Sequence, residues 1–276
     1  MTLALVLAVM AAQATFVPLT AEERYVADLR AQIAKGDVDA EVALGNLYEA
    51  GSVLPLDPAQ AAVWYRRAAD KGHTGAQMNL AMMYFDGVGV PRDVVQAVAW
   101  YEKAAEHGEA IASFSLGSIY ESGADHVRRD EAKAATWYRK AAGQGLGTAQ
   151  HRLALMYRDG RGVSRDTAEA IAWFRKAADR GEADAQIELG VLLSPGHAAM
   201  TDIIEAHTWF NLAASRWKDE GRRVQAANLR DEIEKTMTPD QRAAAYRRAT
   251  EWQDAHSWQR QSATKPRTRD TGSGIR

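Results

Sequence analysis

Three groups of residues in this chain have the types and spacings from which chemistry is built. Ser215 and Lys218, and again Ser262 and Lys265, satisfy S-x-x-K, the spacing that sets the nucleophile of a serine β-lactamase one helical turn from a lysine. The glycine pairs of GVGVPRD (87–93) and GRGVSRD (160–166) have the look of phosphate-cradling loops. An aspartate recurs as Asp57, Asp93, Asp130, Asp166 and Asp202, which invites an acid-base reading. Seven histidines complete the set of groups able to move protons or hold a metal.

None of these groups assembles into a site. The S-x-x-K pairs lack S-D-N and K-T-G partners, and a pattern with two free positions arises easily by chance. The glycine pairs are not followed by a third spaced glycine or by Gly-Lys-Ser/Thr, and no strand pattern precedes them. The histidines are scattered, with no H-E-x-x-H, and the chain has no cysteine, so thiolate metal sites and disulfides are excluded. The expectation is no catalytic residue, no metal and no cofactor. With 46% hydrophobic and 25% charged residues and a formal net charge of −2 in 276 residues, the chain reads as globular, with no electrostatic reason for a nucleic-acid partner.

The elements that carry these residues recur. WYRRAADKG (64–72) returns as WYEKAAEHG (100–108), WYRKAAGQG (137–145), WFRKAADRG (173–181) and WFNLAASRW (209–217), at steps of 36, 37, 36 and 36 residues. LGNLYEAG (44–51), LAMMYFDG (80–87), LGSIYESG (116–123), LALMYRDG (153–160) and LGVLLSPG (189–196) keep step with them. Ala40, Leu44, Leu47 and Tyr48 fall on one stripe of a 3.6-residue helix, as do Ala76, Leu80, Met83 and Tyr84. Gly51, Gly87, Gly123 and Gly160 stand where a left-handed C-terminal cap belongs. The second helix opens at the recurring Asp, with Pro58 suited to a first helical position. Gln60, Gln96, Glu169 and Glu205 follow three residues after their Asp and predict capping boxes in four units of five. The recurring carboxylate is therefore a helix start, and the nonapeptide is a packing phrase. Ala61, Trp64, Tyr65 and Ala68 share one stripe, small residues admitting the neighbouring backbone and rings filling the remaining volume.

The ordered set L-[GA]-x-x-Y, G-x-G-V-x-x-D and W-[YF]-x-K-A-A resembles the Sel1-like repeat family, α/α units related to tetratricopeptide repeats. The resemblance covers about 39–217, roughly two-thirds of the chain. It implies an all-α, right-handed α/α superhelical solenoid of about five repeats. The loops GSVLPLD, GADHVRRD and GHAAMTD depart from the pattern, the second by one extra residue, and Leu193 replaces the Tyr. Caps are expected at both ends: a helix over 20–36 opened by Thr20 and Glu23, and helices over 218–262, the last opened by TPDQ (238–241). In the fifth unit the basic position of Arg67, Lys103, Lys140 and Lys176 becomes Leu212, which predicts a contact with those terminal helices. Residues 263–276 read as a disordered tail.

Opposite the packing stripe, residues at 100° steps gather into a second row, the face that lines the groove in tetratricopeptide repeats. Eight of its fifteen positions are apolar, where a solvated face would be polar. Met78, Met82, Phe85 and Phe114 would form an adaptable floor, with Ser118, Glu121, His151, Leu155 and Arg158 continuing it. The alternative is that curvature buries the row between neighbouring units. The function expected is a non-enzymatic scaffold that holds a protein or peptide partner there. The rivals are a periplasmic β-lactam- or cell-wall-directed enzyme, since some cysteine-rich members of the family are linked with β-lactams, and a permanent structural subunit of an envelope complex. LALVLAVMAA (3–12) followed by Ala12-Gln13-Ala14 predicts an export signal over 1–14, too short to span a bilayer. Cytoplasmic residence is the alternative.

Overall fold

Alanine-rich segments bounded by Asp or Thr on one side and Gly on the other leave helix as the only regular structure the chain can propagate. The computed structural model describes residues 19–196 and 202–256, and within them the helices follow the repeat. Helix α1 (Ala21–Ala34) precedes five pairs: α2 (Val38–Ala50) with α3 (Pro58–Asp70), α4 (Thr74–Asp86) with α5 (Val94–Glu106), α6 (Ala110–Ser122) with α7 (Glu131–Gly143), α8 (Gly147–Asp159) with α9 (Thr167–Asp179), and α10 (Ala183–Leu193) with α11 (Ile203–Arg216). Helices α12 (Glu220–Glu234) and α13 (Pro239–Ala255) follow. The expected signal over 1–14, the tail 263–276 and the end of the last helix beyond 256 lie outside the described residues.

The helix starts differ from expectation in one respect. Each recurring Asp accepts the N–H three residues on, at 3.0 Å from Gln60 and Gln96, 2.9 Å from Lys133, 3.0 Å from Glu169 and 2.9 Å from Glu205. The reciprocal half of the box is missing, because the Asp N–H is already engaged. It donates to the last carbonyls of the first helix: Asp57 to Tyr48 at 3.0 Å, Asp93 to Tyr84 at 2.9 Å, Asp130 to Tyr120 at 2.8 Å, Asp166 to Tyr157 at 2.9 Å and Asp202 to Leu193 at 3.1 Å. One aspartate thus starts the second helix and ends the first. Full capping boxes occur at Thr20 with Glu23 and at Thr238 with Gln241, where the cap N–H donates to the side chain of the third residue. Gly51, Gly87 and Gly160 adopt the left-handed cap.

The described residues divide into two compact units, one running to Ala112 with Ala124–Arg128, the other comprising Ser113–Gly123 and the residues from Arg129. In the first, Leu44, Tyr65 and Leu80 are fully buried among Ala61, Ala68, Ala76 and Ala81, and α1 turns Val26 and Leu29 toward α2. In the second, Tyr138, Leu153 and Met156 form one cluster, and Phe174, Leu189, Phe210 and Leu212 form another. The small residue of L-[GA]-x-x-Y makes room for the ring. A Cβ on Gly45 would lie 2.7 Å from Tyr65, on Gly117 2.6 Å from Tyr138, and on Gly190 2.5 Å from Phe210.

Successive pairs are tied by polar groups as well. Gln77 donates to Ala69 O at 3.3 Å, Gln150 to Ala142 O at 3.1 Å and Gln186 to Ala178 O at 3.2 Å, each satisfying a carbonyl near the end of the preceding second helix. The second glycine of each G-x-G loop lies against the preceding repeat. A Cβ on Gly89 would meet Pro58 O at 2.2 Å, and on Gly162 would meet Glu131 O at 2.1 Å, so this loop is built for contact between helices.

The indoles are the less buried half of the aromatic pair. Trp100 and Trp209 are buried, while Trp64, Trp137 and Trp173 are half-buried and capped by the basic residue three positions on. Arg67 lies 4.5 Å from the Trp64 ring centre, Lys103 3.8 Å from that of Trp100, Lys140 5.3 Å from that of Trp137 and Lys176 3.8 Å from that of Trp173. In the fifth unit Leu212 is instead fully buried beside Ile233 and Ala249 of the terminal helices.

Candidate functional site

The second aromatic of each pair connects the packing stripe to the opposite row. Its ring is buried, and at Tyr65 and Tyr138 the hydroxyl reaches polar residues of the first helices. In the first unit Tyr65 Oη lies 2.5 Å from Glu49 Oε2 and 2.6 Å from Asn46 Oδ1. In the second, Tyr138 donates to Glu121 at 2.7 Å with Ser118 Oγ at 3.1 Å. Burial above all, reinforced by the facing carboxylate and at Tyr138 opposed in part by Ser118, pushes both phenols well above the ordinary tyrosine range, so both stay protonated hydrogen-bond donors. Burial also pushes Glu121 upward, but hydrogen bonds from Tyr138 and from Arg161, at 2.8 Å, outweigh it and hold the carboxyl below its ordinary value.

The other row members are held by short local networks. Arg158 bridges Glu188 at 2.6 Å and Asp159 at 2.7 Å. His151 packs at 5.7 Å from the Phe174 ring, and burial lowers its pKa, which keeps it neutral near pH 7. Phe114 lies 5.5 Å from the Tyr138 ring, and Leu155 rests on the Phe174 cluster. In the first unit Met78 and Phe85 are half-buried on α4, with Arg92 5.9 Å over the Phe85 ring, and Met82 between them is 49% exposed.

The row therefore falls between the two sequence expectations: most members are partly covered, and Met82 is open. In the fifth repeat Ile187 is buried with Ala213 and Ala226, while Val191 and Ser194 border an apolar recess of about 330 Å³ shared with Phe210, Leu229 and Ile233. Sequence reasoning missed Tyr65, Tyr138, Arg161 and Glu188 as members of this face. A signal for the tyrosines is present in the repeat register. Where the second aromatic is Tyr65 or Tyr138, the row offers Asn46 and Glu49 or Ser118 and Glu121. Where it is Phe174 or Phe210, the row carries Leu155 and Arg158 or Val191 and Ser194. The second repeat, with Tyr101 beside Met82 and Phe85 in register, does not follow that rule.

The residues with a catalytic spacing are placed otherwise. Ser215 Oγ donates to Leu212 O of its own helix at 2.9 Å and accepts from Gln253 at 3.3 Å, and Lys218 lies past the end of α11. Its hydroxyl is bonded to backbone, with no base aligned to take the proton. Ser262 and Lys265 lie outside the described residues. Among the described residues no three His, Asp or Glu side chains converge as metal ligands.

The Sel1 repeat matches at residues 38–73, 74–109, 110–146, 147–182 and 183–216. The chain belongs to the Sel1 repeat family. Comparison with curated proteins gives no match. Among solved structures, the chain is similar to a Sel1 repeat protein from Oxalobacter formigenes, at 29% identity and a TM-score of 0.66, over 73% of this chain and 83% of that one. It also matches a protective antigen with this repeat fold from uropathogenic Escherichia coli strains, at 24% identity and TM-score 0.43, over 90% of this chain and 68% of that one. Cysteine rich protein B of Helicobacter pylori matches at 25% identity and TM-score 0.38, over 49% of this chain and 96% of that one. Sel1 repeats are in general protein-interaction scaffolds and in general non-catalytic. Among the described residues no helix is long and apolar enough to cross a membrane.

Proposed function

We propose that this Sel1 repeat protein is a non-enzymatic adaptor that captures a segment of a protein partner on the first-helix faces. Met78, Met82 and Phe85 act in the first unit, and Phe114, Ser118, Glu121, His151, Leu155 and Arg158 in the second. The observation that carries this reading is Met82. A large apolar side chain stands 49% exposed midway along α4 with half-buried Met78 and Phe85 on either side, where nothing in its own repeat requires an apolar residue. The networks around Tyr138 and Arg158 support the same reading. They fix donors and acceptors on rigid helices, so little order is lost when a partner binds. The partner is expected to contribute an apolar anchor and an extended or helical backbone.

The adaptor acts outside the cytoplasm, a reading that rests on LALVLAVMAA and Ala12-Gln13-Ala14. Protein recovered from its host is then expected to begin at Thr15.

Photo-crosslinking from position 82, in cells of the native host, tests the groove. The expected result is one partner band from Met82 and Leu155 positions, none from Arg66 on α3, and loss of the band in Met82→Asp with unchanged far-ultraviolet helicity. Equal crosslinking from Arg66, or a band that survives Met82→Asp, would overturn the assignment.

A further inference from the structure

One place in the second helices departs from what its equivalents keep. Ala62, Val98, Ala135 and Ile171 occupy the same position of the first four repeats, and all are apolar and buried. In the fifth repeat that position is His207, and it is fully buried. An apolar seam site has been given the side chain that titrates nearest neutrality.

The ring lies where three helices meet. Its Nε2 stands 3.5 Å from Glu234 Oε2 at the end of α12, an ion-pair distance, and neither ring nitrogen makes a hydrogen bond. Tyr246 of α13 meets the ring edge-on at 4.9 Å and places its hydroxyl 3.3 Å from the same Glu234 carboxylate. Other charges on the packed helices form pairs of their own. On α12, Arg230 is held by Asp231 at 2.7 Å. On α10, Asp184 pairs with Arg222, and Glu188 with Arg158. On α13, Arg248 lies 4.0 Å from Glu205 of α11. Glu234 is thus the carboxylate at ion-pair distance from the imidazole, while Asp231 raises and Arg230 lowers the ring's pKa from farther off.

We propose that His207 is a proton-operated latch: protonating this buried ring loosens α12 and α13 from α11 and uncovers the surface of repeat five around Trp209 and Leu212. A charge placed on the ring has one partner, at ion-pair distance, to offset the loss of water around it. Burial drives the imidazole below its ordinary pKa of 6.5, and Glu234 raises it only in part. The neutral ring is the form the fold accepts. Its contribution to stability is complete above the unfolded-state value near 6.5, and is lost as pH falls from there toward the lowered folded-state value.

Hydrogen exchange of the full chain between pH 7.5 and 5, corrected for intrinsic rates, reads the latch directly. Protection of α12 and α13 is expected to fall by up to about tenfold per pH unit below 6.5, while α2–α5 keep theirs. His207→Leu, which restores an apolar seam, is expected to abolish that dependence. Glu234→Gln removes the main group that raises the ring's pKa, so the loss starts at the same pH but runs on to lower pH and ends deeper. Flat protection of α12 and α13 in the natural chain would overturn the proposal, as would an unchanged pH response in His207→Leu. Should His207→Leu fail to fold, a loss in Glu234→Gln that ends no deeper than in the natural chain does the same.

Discussion

Glu205 carries two duties that its place in the sequence does not separate. As the third residue of α11 its N–H is capped by Asp202 at 2.9 Å, and the sequence pattern assigns its carboxylate to the reciprocal bond. That bond is lost because the Asp202 N–H donates to Leu193 O, so the carboxylate turns inward. It takes a two-pronged hydrogen bond from Arg175, both contacts 2.9 Å, and one from Trp209 Nε1 at 3.1 Å. Burial pushes its pKa up, but Arg175 and Trp209 outweigh burial and hold it below the ordinary value. A depressed carboxylate stabilises the fold above its unfolded-state pKa near 4.5, and that contribution is lost as pH falls through the folded value. Arg175→Met should cost about 2 kcal/mol or more at pH 7, because the carboxylate stays buried with Trp209 as its donor and Arg248, at 4.0 Å, as its nearest cation. Urea midpoints at pH 7 and pH 4.5 check this, with the variant's deficit shrinking at the lower pH as Glu205 takes up a proton.

At the scale of the element, the unit of construction is a hairpin closed by one aspartate. The side chain starts the second helix while the backbone N–H ends the first, so the cap and the turn form together. The residue three positions on contributes its backbone and leaves its side chain free. Asp166→Ala should therefore destabilise by about 1 kcal/mol, whereas Glu169→Ala should change stability by less than about 0.5 kcal/mol. Chemical denaturation of the two variants decides it, since a working capping box would make the losses comparable. The same logic separates the terminal helices from the repeats. Thr238 stands 36 residues after Asp202 and Tyr246 stands 36 after Phe210, so the repeat register continues beyond the last matched repeat. The packing does not continue, because α12 and α13 both lie against α11, where they cover Leu212 and Thr208.

For the molecule as a whole, stability is shared between neighbours, and an end must be closed where the last neighbour is missing. Leu212 marks that closure in the sequence: four repeats put a cation there, and the fifth puts an apolar side chain that is fully buried. Ending the chain at Lys218 should bare Leu212 and Trp209 and make the shortened chain self-associate. Sedimentation velocity checks this, and a monodisperse monomer with native helicity would contradict it. The first unit closes its own end more lightly, with Val26 and Leu29 the buried residues of α1.

The sequence by itself determined the hairpins, their caps, their period and the closing role of Leu212. Those signals repeat, or act over three or four residues, and the same physics answers to them in every copy. It also located the row from Met78 to Arg158 as a face of the first helices. Only the tertiary structure decided what that face offers. Tyr65 reaches Glu49 across 16 residues and Arg161 reaches Glu121 across 40, so polar groups that look free in the sequence are engaged with one another. The exposure of Met82 and the burial of His207 were likewise settled there. Both depend on which neighbouring helix covers the side chain, and helical periodicity assigns a face without saying what stands opposite.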